Sequence, residues 1–404
     1  MDVTIVDGDV PYPANSGKRL RSLNLALPLA ARHRITYIAR CNSKAEGEVA
    51  ADFLRGKGIE PVMVEAPLAP KSGAGFYGRL AGNMLSSAPY SVQSHRLEAM
   101  RAAVRAHAAR RPVDLWQVEW FGYLYCVEGL GATTVLGAHN IESLIWQRYA
   151  ETEANGLRRA YVREQWRKML AFERRSFASV ARIVAVSEPD VEVGRGLYGD
   201  LPFACVDNGV DTAYFREQKA DQASRQILFL GALDWRPNQD AIAILLDEIF
   251  PSVRARMPDA TLAIVGRSPS SRLVERVRAM DGVTLHADVP DVRPYMAASA
   301  MMAVPLRIGG GSRLKIIEAL AARLPVVSTA VGAEGLKLQP GRDIEIADDA
   351  AAMTEAIVAR LKQPLPISDA TWNRVTGTYD WSILAGRLEA IWLEAAGAKL
   401  ARSA

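Results

Sequence analysis

The chain has 404 residues, 49% of them hydrophobic and 23% charged, and its 49 Lys/Arg against 45 Asp/Glu leave a net charge of +4. That balance excludes a disordered polymer and predicts a packed globular protein, too long for one ordinary core and so built of two domains. The small net charge does not by itself imply nucleic acid, and no apolar run approaches the ~20 residues that cross a bilayer.

The opening MDVTIVDGDVPYPANSG carries acids early and has no basic stretch followed by an apolar one, so no secretory leader is expected there. Cys41, Cys126 and Cys205 are odd in number and far apart, fitting neither a disulfide framework nor a zinc site. A cytoplasmic location is expected. The histidines lack ligand spacing, so no metal held by protein alone is expected.

From the start, β-branched runs alternate with helical patterns. VTIVDG precedes KRLRSLNLALPLAAR, ITYIAR precedes AEGEVAADFLRGKG, and PVMVEA follows. Gly17 lies in the loop after the first strand, an ordinary strand–helix turn on its own terms. Residues 66–95 read as an irregular excursion with a short helix. DLWQVEW, TTVLGAH and ARIVAVS continue the series. Glu119 and Trp120 stand at one strand end, candidates to line a binding site, although such a tryptophan also serves as packing. His139, followed by Asn140, stands at another. A lone histidine is as readily a hydrogen-bonded structural residue, but strand ends are where a doubly wound sheet presents functional groups.

Residues 1–200 hold 26 Lys/Arg against 21 Asp/Glu, and segment 156–175 alone holds seven Lys/Arg against two Glu. Such a helix reads as a solvated face or as a contact for anionic phospholipid. With no recognised nucleic-acid module beside it, nucleic acid is not expected as a partner.

A segment rich in Asp, Asn and Gly near position 206 reads as a linker. The second series has the strands QILFLGAL, ATLAIVG, VTLHADV, AMMAVPL and PVVSTAV. Two strand–helix series predict an α/β protein of two doubly wound, Rossmann-like domains, with ligand expected in a central cleft. The expected boundaries are 1–205, 206–377 and 378–404. In the last segment Trp381, Leu384, Leu388, Ile391 and Trp392 form the apolar stripe of a terminal helix.

The stretch RIGGGSRLKIIEAL carries the chemistry. Gly309, Gly310 and Gly311 form a turn that feeds a helix, with Ser312 as its expected N-cap. Free N–H groups and the helix dipole make such a place an anion site. Arg313 and Lys315 oppose the dipole, which suits a diphosphate bound at that end. Glu318 lies further in, where its carboxylate suits a ribose diol. A flexible turn flanked by surface cations is the plainer reading of the glycines alone. Neither GxxxxGK[ST] nor, after the first strand, GxGxxG is present.

IIEALAARLPVVSTAVGAEGL resembles the second half of the donor-binding motif of the GT-B retaining glycosyltransferases of family GT4, and the resemblance to that family extends over VPYPANSGKRLRS, GAHNIESLIWQRY, VAVSEPDV, DNGVDTAYF, FLGALDWRPNQDA and the terminal YDW helix. The resemblance implies the GT-B fold, with an acceptor-binding first domain, a nucleotide-sugar-binding second domain, and a last helix crossing back to the first. It implies sugar transfer with retention from a nucleoside-diphosphate sugar to a glycan, lipid-linked or small-molecule acceptor, without a cofactor. It places Gly17 beside the diphosphate, His139 by the donor sugar, Val289 and Pro290 near the base, and Glu119, Trp120 and Asn140 on the acceptor side. A place at the inner face of the cytoplasmic membrane fits that role.

Two departures stand out. The motif normally has two glutamates separated by seven residues, and Gly310 stands where the first is expected. The usual Arg and Lys after the first strand of the second domain are also missing. Ala232 replaces the arginine and leaves Arg236 as a candidate, so Arg313 and Lys315 are expected to supply most of the phosphate charge. A non-catalytic GT-B subunit and a sugar-nucleotide epimerase are the competing readings.

Overall fold

The computed structural model describes residues 1–217, 220–221, 223–308 and 313–403, of which 398–403 are described as helical backbone only. The chain divides into two units, residues 1–207 with 384–404, and residues 208–383.

In the first unit seven parallel strands form one sheet: β1 (Asp2–Asp7), β2 (Arg34–Cys41), β3 (Glu60–Glu65), β4 (Leu115–Val118), β5 (Thr133–Ala138), β6 (Arg182–Ala185) and β7 (Phe203–Cys205). Their order is β3-β2-β1-β4-β5-β6-β7. Parallel strands need helical crossovers, and those helices cover the sheet, so a central strand is apolar along its whole length. Accordingly Val3–Asp7 of β1 and all of LWQV in β4 are buried. Strand β1 pairs with β2 on one side (Val3 opposite Ile35) and with β4 on the other (Val3 opposite Leu115). The chain therefore reverses its winding between β1 and β4, and side chains at the carboxyl ends of these two strands border the crevice where doubly wound sheets bind ligands.

The second unit repeats the plan with β8 (Gln226–Leu230), β9 (Thr261–Gly266), β10 (Val283–Ala287), β11 (Met301–Val304), β12 (Val326–Ser328) and β13 (Glu345–Ile346), ordered β10-β9-β8-β11-β12-β13. Its reversal falls between β8 and β11, which pair through Met301 and Ile227. The alternating runs predicted eleven of these strands. The short edge strands β7 and β13 carry too few residues to give a pattern.

Local chemistry starts the helices where the strands need them. Ser16 accepts from the Arg19 N–H and opens helix Gly17–Ala30, and Asn155 accepts from the Arg158 N–H to open the basic helix Gly156–Ala178. The excursion at 66–95 contains two helices, Gly73–Asn83 and Tyr90–Gln93.

Residues 378–383 stay with the second unit, because the Val210 N–H donates to the Tyr379 carbonyl at 2.8 Å and Thr212 bonds the Asp380 carboxylate. From Leu384 the helix Trp381–Ser403 packs within the first unit. Leu384, Leu388 and Trp392 of the predicted stripe are buried, and Glu389 pairs with Arg32 and His33.

Candidate functional site

In the second unit the site is built around the end of β8. Gly231 follows that strand, and helix Arg236–Ile244 carries Asn238 back over it. The buried Asn238 donates from Nδ2 to the Ala232 carbonyl at 2.8 Å, which fixes the orientation of its amide. Its Oδ1 accepts from Lys315 Nζ at 2.9 Å, and the ammonium lies 5.0 Å from the centroid of the Phe229 ring. Gly231 is required by this approach, since a Cβ there would lie 2.7 Å from Asn238 Nδ2 and 2.9 Å from Lys315 Nζ.

Among the described residues the Lys315 ammonium meets no carboxylate within 4 Å. Burial, with the like charge of Arg313, pulls its pKa down to about 8 against a weaker opposing effect of Glu318. Glu318 follows on the same face of helix Leu314–Ala321. Burial pushes its carboxyl up to about 7, with Lys315 pulling the other way. Both groups thus titrate much nearer to neutral pH than usual, and among the described residues neither has an ion-pair partner. A bound anion would restore the charge of Lys315, and hydroxyl donors would favour the charged form of Glu318.

Arg313 occupies the N-cap position, one residue beyond the Ser312 expected there. Its guanidinium is buried and pairs with Glu334 at 3.1 Å. The two cations expected to supply most of the phosphate charge are differently placed: Arg313 already has an acid, whereas Lys315 has an amide and a ring. Gly309, Gly310, Gly311 and Ser312 lie outside the described residues. Arg236 is exposed in the first turn of its helix. Val289 and Pro290 follow β10, partly and fully exposed respectively. Asn238 and Gly231 were missed in the sequence, although both sit in the quoted stretch FLGALDWRPNQDA.

In the first unit the site is at the ends of β4 and β5. Gln117 and Glu119 are two residues apart and so share a face of the strand. Gln117 Nε2 donates to Glu119 Oε1 at 3.0 Å, Ser22 Oγ donates to Glu119 Oε2 at 3.1 Å, and His139 Nε2 lies 3.0 Å from the same oxygen. Gly137 of β5 leaves room for the carboxylate, since a Cβ there would lie 3.2 Å from Oε2. Burial alone would raise the Glu119 pKa. The hydrogen bond and pull of His139, with Arg21 and Lys18, outweigh burial and hold it at about 2. The reading of Glu119 as an acceptor-lining residue is corrected here: its carboxylate is buried, and both oxygens are taken by protein donors.

Trp120 is half-buried and packs edge-on against His95 at 5.1 Å, filling the space left by Gly122. Asn140 is half-buried after His139, and Gly17 is exposed at the start of its helix. The cations of KRLR have partners of their own: Lys18 pairs with the buried Asp7, Arg19 with Asp9 and Glu46, and Arg21 bonds the Asp207 carbonyl. In the basic helix Lys168 turns inward to the carbonyls of Asn83 and Met84, while Arg158, Arg163, Arg167, Arg174 and Arg175 are exposed.

Residues 224–363 match the family model of glycosyl transferases group 1. The chain is 23% identical over 389 residues to an uncharacterized 44.6 kDa protein in the cps region of Klebsiella pneumoniae, covering 92% of this chain and 94% of that one. It is 28% identical over 211 residues to the phosphatidyl-myo-inositol mannosyltransferase of Mycobacterium tuberculosis, covering 48% of this chain and 54% of the relative. The chain thus matches about half the length of that relative. The solved structure of Anabaena HepE in complex with UDP and glucose superposes with a TM-score of 0.69 at 12% identity, over 98% of this chain and all of that one. Together these findings define the class by fold: a protein of GT-B fold, in whose second unit residues 224–363 are similar to group 1 glycosyl transferases.

Proposed function

We propose that this protein is a retaining glycosyltransferase that moves a sugar from a nucleoside-diphosphate sugar to an acceptor hydroxyl in the synthesis of a cell-surface glycan, glycolipid or glycoconjugate. The observation that carries the reading is the half-buried Lys315 ammonium, held by Asn238 at the end of β8 with no acid beside it among the described residues. The neighbouring Glu318 supports it, because a carboxylate held near neutrality gains most from the hydroxyl donors of a ribose.

On this reading Lys315 neutralises charge that develops on the departing diphosphate, and Arg313 contributes once phosphate competes with Glu334 for its guanidinium. Glu318 holds the ribose. The leaving diphosphate takes the acceptor's proton on the face from which it departs, so retention needs no covalent enzyme nucleophile. His139 serves the sugar, with its ring held by Glu119. HepE was solved with UDP-glucose, which makes a UDP-sugar the first donor to test. A lipid-linked acceptor fits both the name of the mycobacterial relative and the exposed arginines of helix Gly156–Ala178. No helix among the described residues is long and apolar enough to cross a membrane, so contact with lipid would be peripheral.

A thermal-shift screen against UDP-, GDP-, ADP- and dTDP-sugars tests the reading, since the matching donor raises the melting temperature by mass action. No shift with any of them overturns it. Gly310 in place of a glutamate favours a second reading, a nucleotide-sugar-binding subunit without turnover. A donor that stabilises the protein but is never consumed with any acceptor favours that alternative.

A further inference from the structure

The carboxylate that holds His139 is itself held from a distant part of the chain. Gln117 supplies its side-chain N–H to Glu119 Oε1, and a side-chain amide can do this only in one of its two orientations. That orientation is set by Trp392, whose indole Nε1–H donates to Gln117 Oε1 at 2.8 Å. Trp392 is fully buried in the helix Trp381–Ser403, and Gln117 is buried too, so neither water nor solvent relaxation replaces the bond. An indole is a donor only and cannot accept the amide in its flipped state. Trp392, Gln117, Glu119 and His139 form one directed series, with contacts of 2.8, 3.0 and 3.0 Å.

We propose that Trp392 and Gln117 are positioning residues for His139, acting through Glu119 to hold its ring in the Nε2–H form, with Nδ1 left as the acceptor when the imidazole is neutral. The functional weight of this device rests on the role proposed above for His139, but its structural content does not. With the Trp392 donor gone, the buried Gln117 Oε1 loses its partner, and the amide, no longer pinned from both ends, shifts to find another and loosens its bond to Glu119. Glu119 then loses a donor while Ser22 and His139 remain beside it and the Arg21 and Lys18 charges stay close. The imidazole loses its single preferred orientation.

The test is nitrogen NMR of histidine-labelled, full-length protein without ligand, comparing wild type with Trp392→Phe and Gln117→Leu. Leu388→Ala serves as the control, since it removes packing from the same helix without removing a donor or acceptor of the series. The expected result is a single Nε2–H signature for His139 in wild type and in Leu388→Ala. In Trp392→Phe and Gln117→Leu a mixed-tautomer signature should appear while the melting curve remains cooperative. A His139 signature unchanged in Trp392→Phe overturns the proposal, as does the same change in Leu388→Ala, which would mark a loosened helix rather than a directed bond. Because the measurement needs no donor, it also separates this proposal from the enzymatic one. A released tautomer with unaltered sugar transfer would confirm the positioning and remove His139 from the mechanism.

Discussion

At the carboxyl ends of the first sheet, charge is matched inside the unit. Lys18 has Asp7, Arg19 has Asp9 and Glu46, and His139 has Glu119, which stays ionised down to about pH 2. At the corresponding end of the second sheet Lys315 leans on an amide and the face of a ring, and its pKa falls to about 8. The strand orders correspond, so topology is not what distinguishes the two ends. A self-compensated end gains little from a charged ligand, because any new anion must displace an existing partner. An uncompensated half-buried cation has already lost part of its water, so a phosphate finds it with less of that desolvation cost. On the function proposed above, the difference separates an end that orients groups from one suited to take an anion.

The largest expected effect comes from removing the uncompensated charge. Lys315→Ala should lower sugar transfer by roughly 10²–10³-fold, the scale of losing one electrostatic donor at a developing charge. Because the ammonium is a burden to the unliganded fold, the melting temperature should not drop. Near-normal turnover would break the contrast between the two ends.

For the first end the check is acid stability. Glu119, with its pKa depressed to about 2, contributes stability that is present above the ordinary carboxylate range and lost as pH falls through it toward 2. Glu119→Gln should remove that part of the acid sensitivity, of the order of 3 kcal/mol, in chemical denaturation measured across this range. An unchanged pH dependence would mean that the carboxylate is not matched as described.

Smaller in scale, Glu318→Ala should weaken UDP binding in calorimetry by about 10–100-fold, the value of hydrogen bonds to a charged group. The pH dependence of the same binding is the finest test. Binding needs protonated Lys315 and ionised Glu318, so affinity should peak between about 7 and about 8. It should fall about threefold between roughly pH 7.5 and 8.5 as Lys315 loses its proton. Lys315→Arg should abolish that alkaline fall, since guanidinium does not titrate there.

The division of the fold was legible because a buried parallel strand writes itself as a short, largely apolar run, as QILFL and MMAV do. The places of Lys315 near a helix start, Glu318 further along that helix and His139 just past a strand end follow from the same pattern. Partnerships were not. Arg313 meets Glu334 from 21 positions away, Lys315 meets Asn238 from 77, and Gln117 meets Trp392 from 275. Sequence shows which groups a site can contain, whereas the choice of partner decides whether a cation is already spent. That choice depends on how distant elements return to one another.

The helix Trp381–Ser403 has one more consequence, which concerns the order of events on the ribosome. The second unit is one continuous stretch, residues 208–383, whereas the first needs residues from both sides of it. Trp392 fills the first unit's interior and leaves Gln117 buried without its donor until it arrives. During synthesis the domain whose strands emerge first must therefore wait with an open seam, while the one made after it can already close. Chaperone dependence and protease sensitivity of the nascent chain should concentrate in that interval, and they should end when the helix beyond Leu384 clears the exit tunnel.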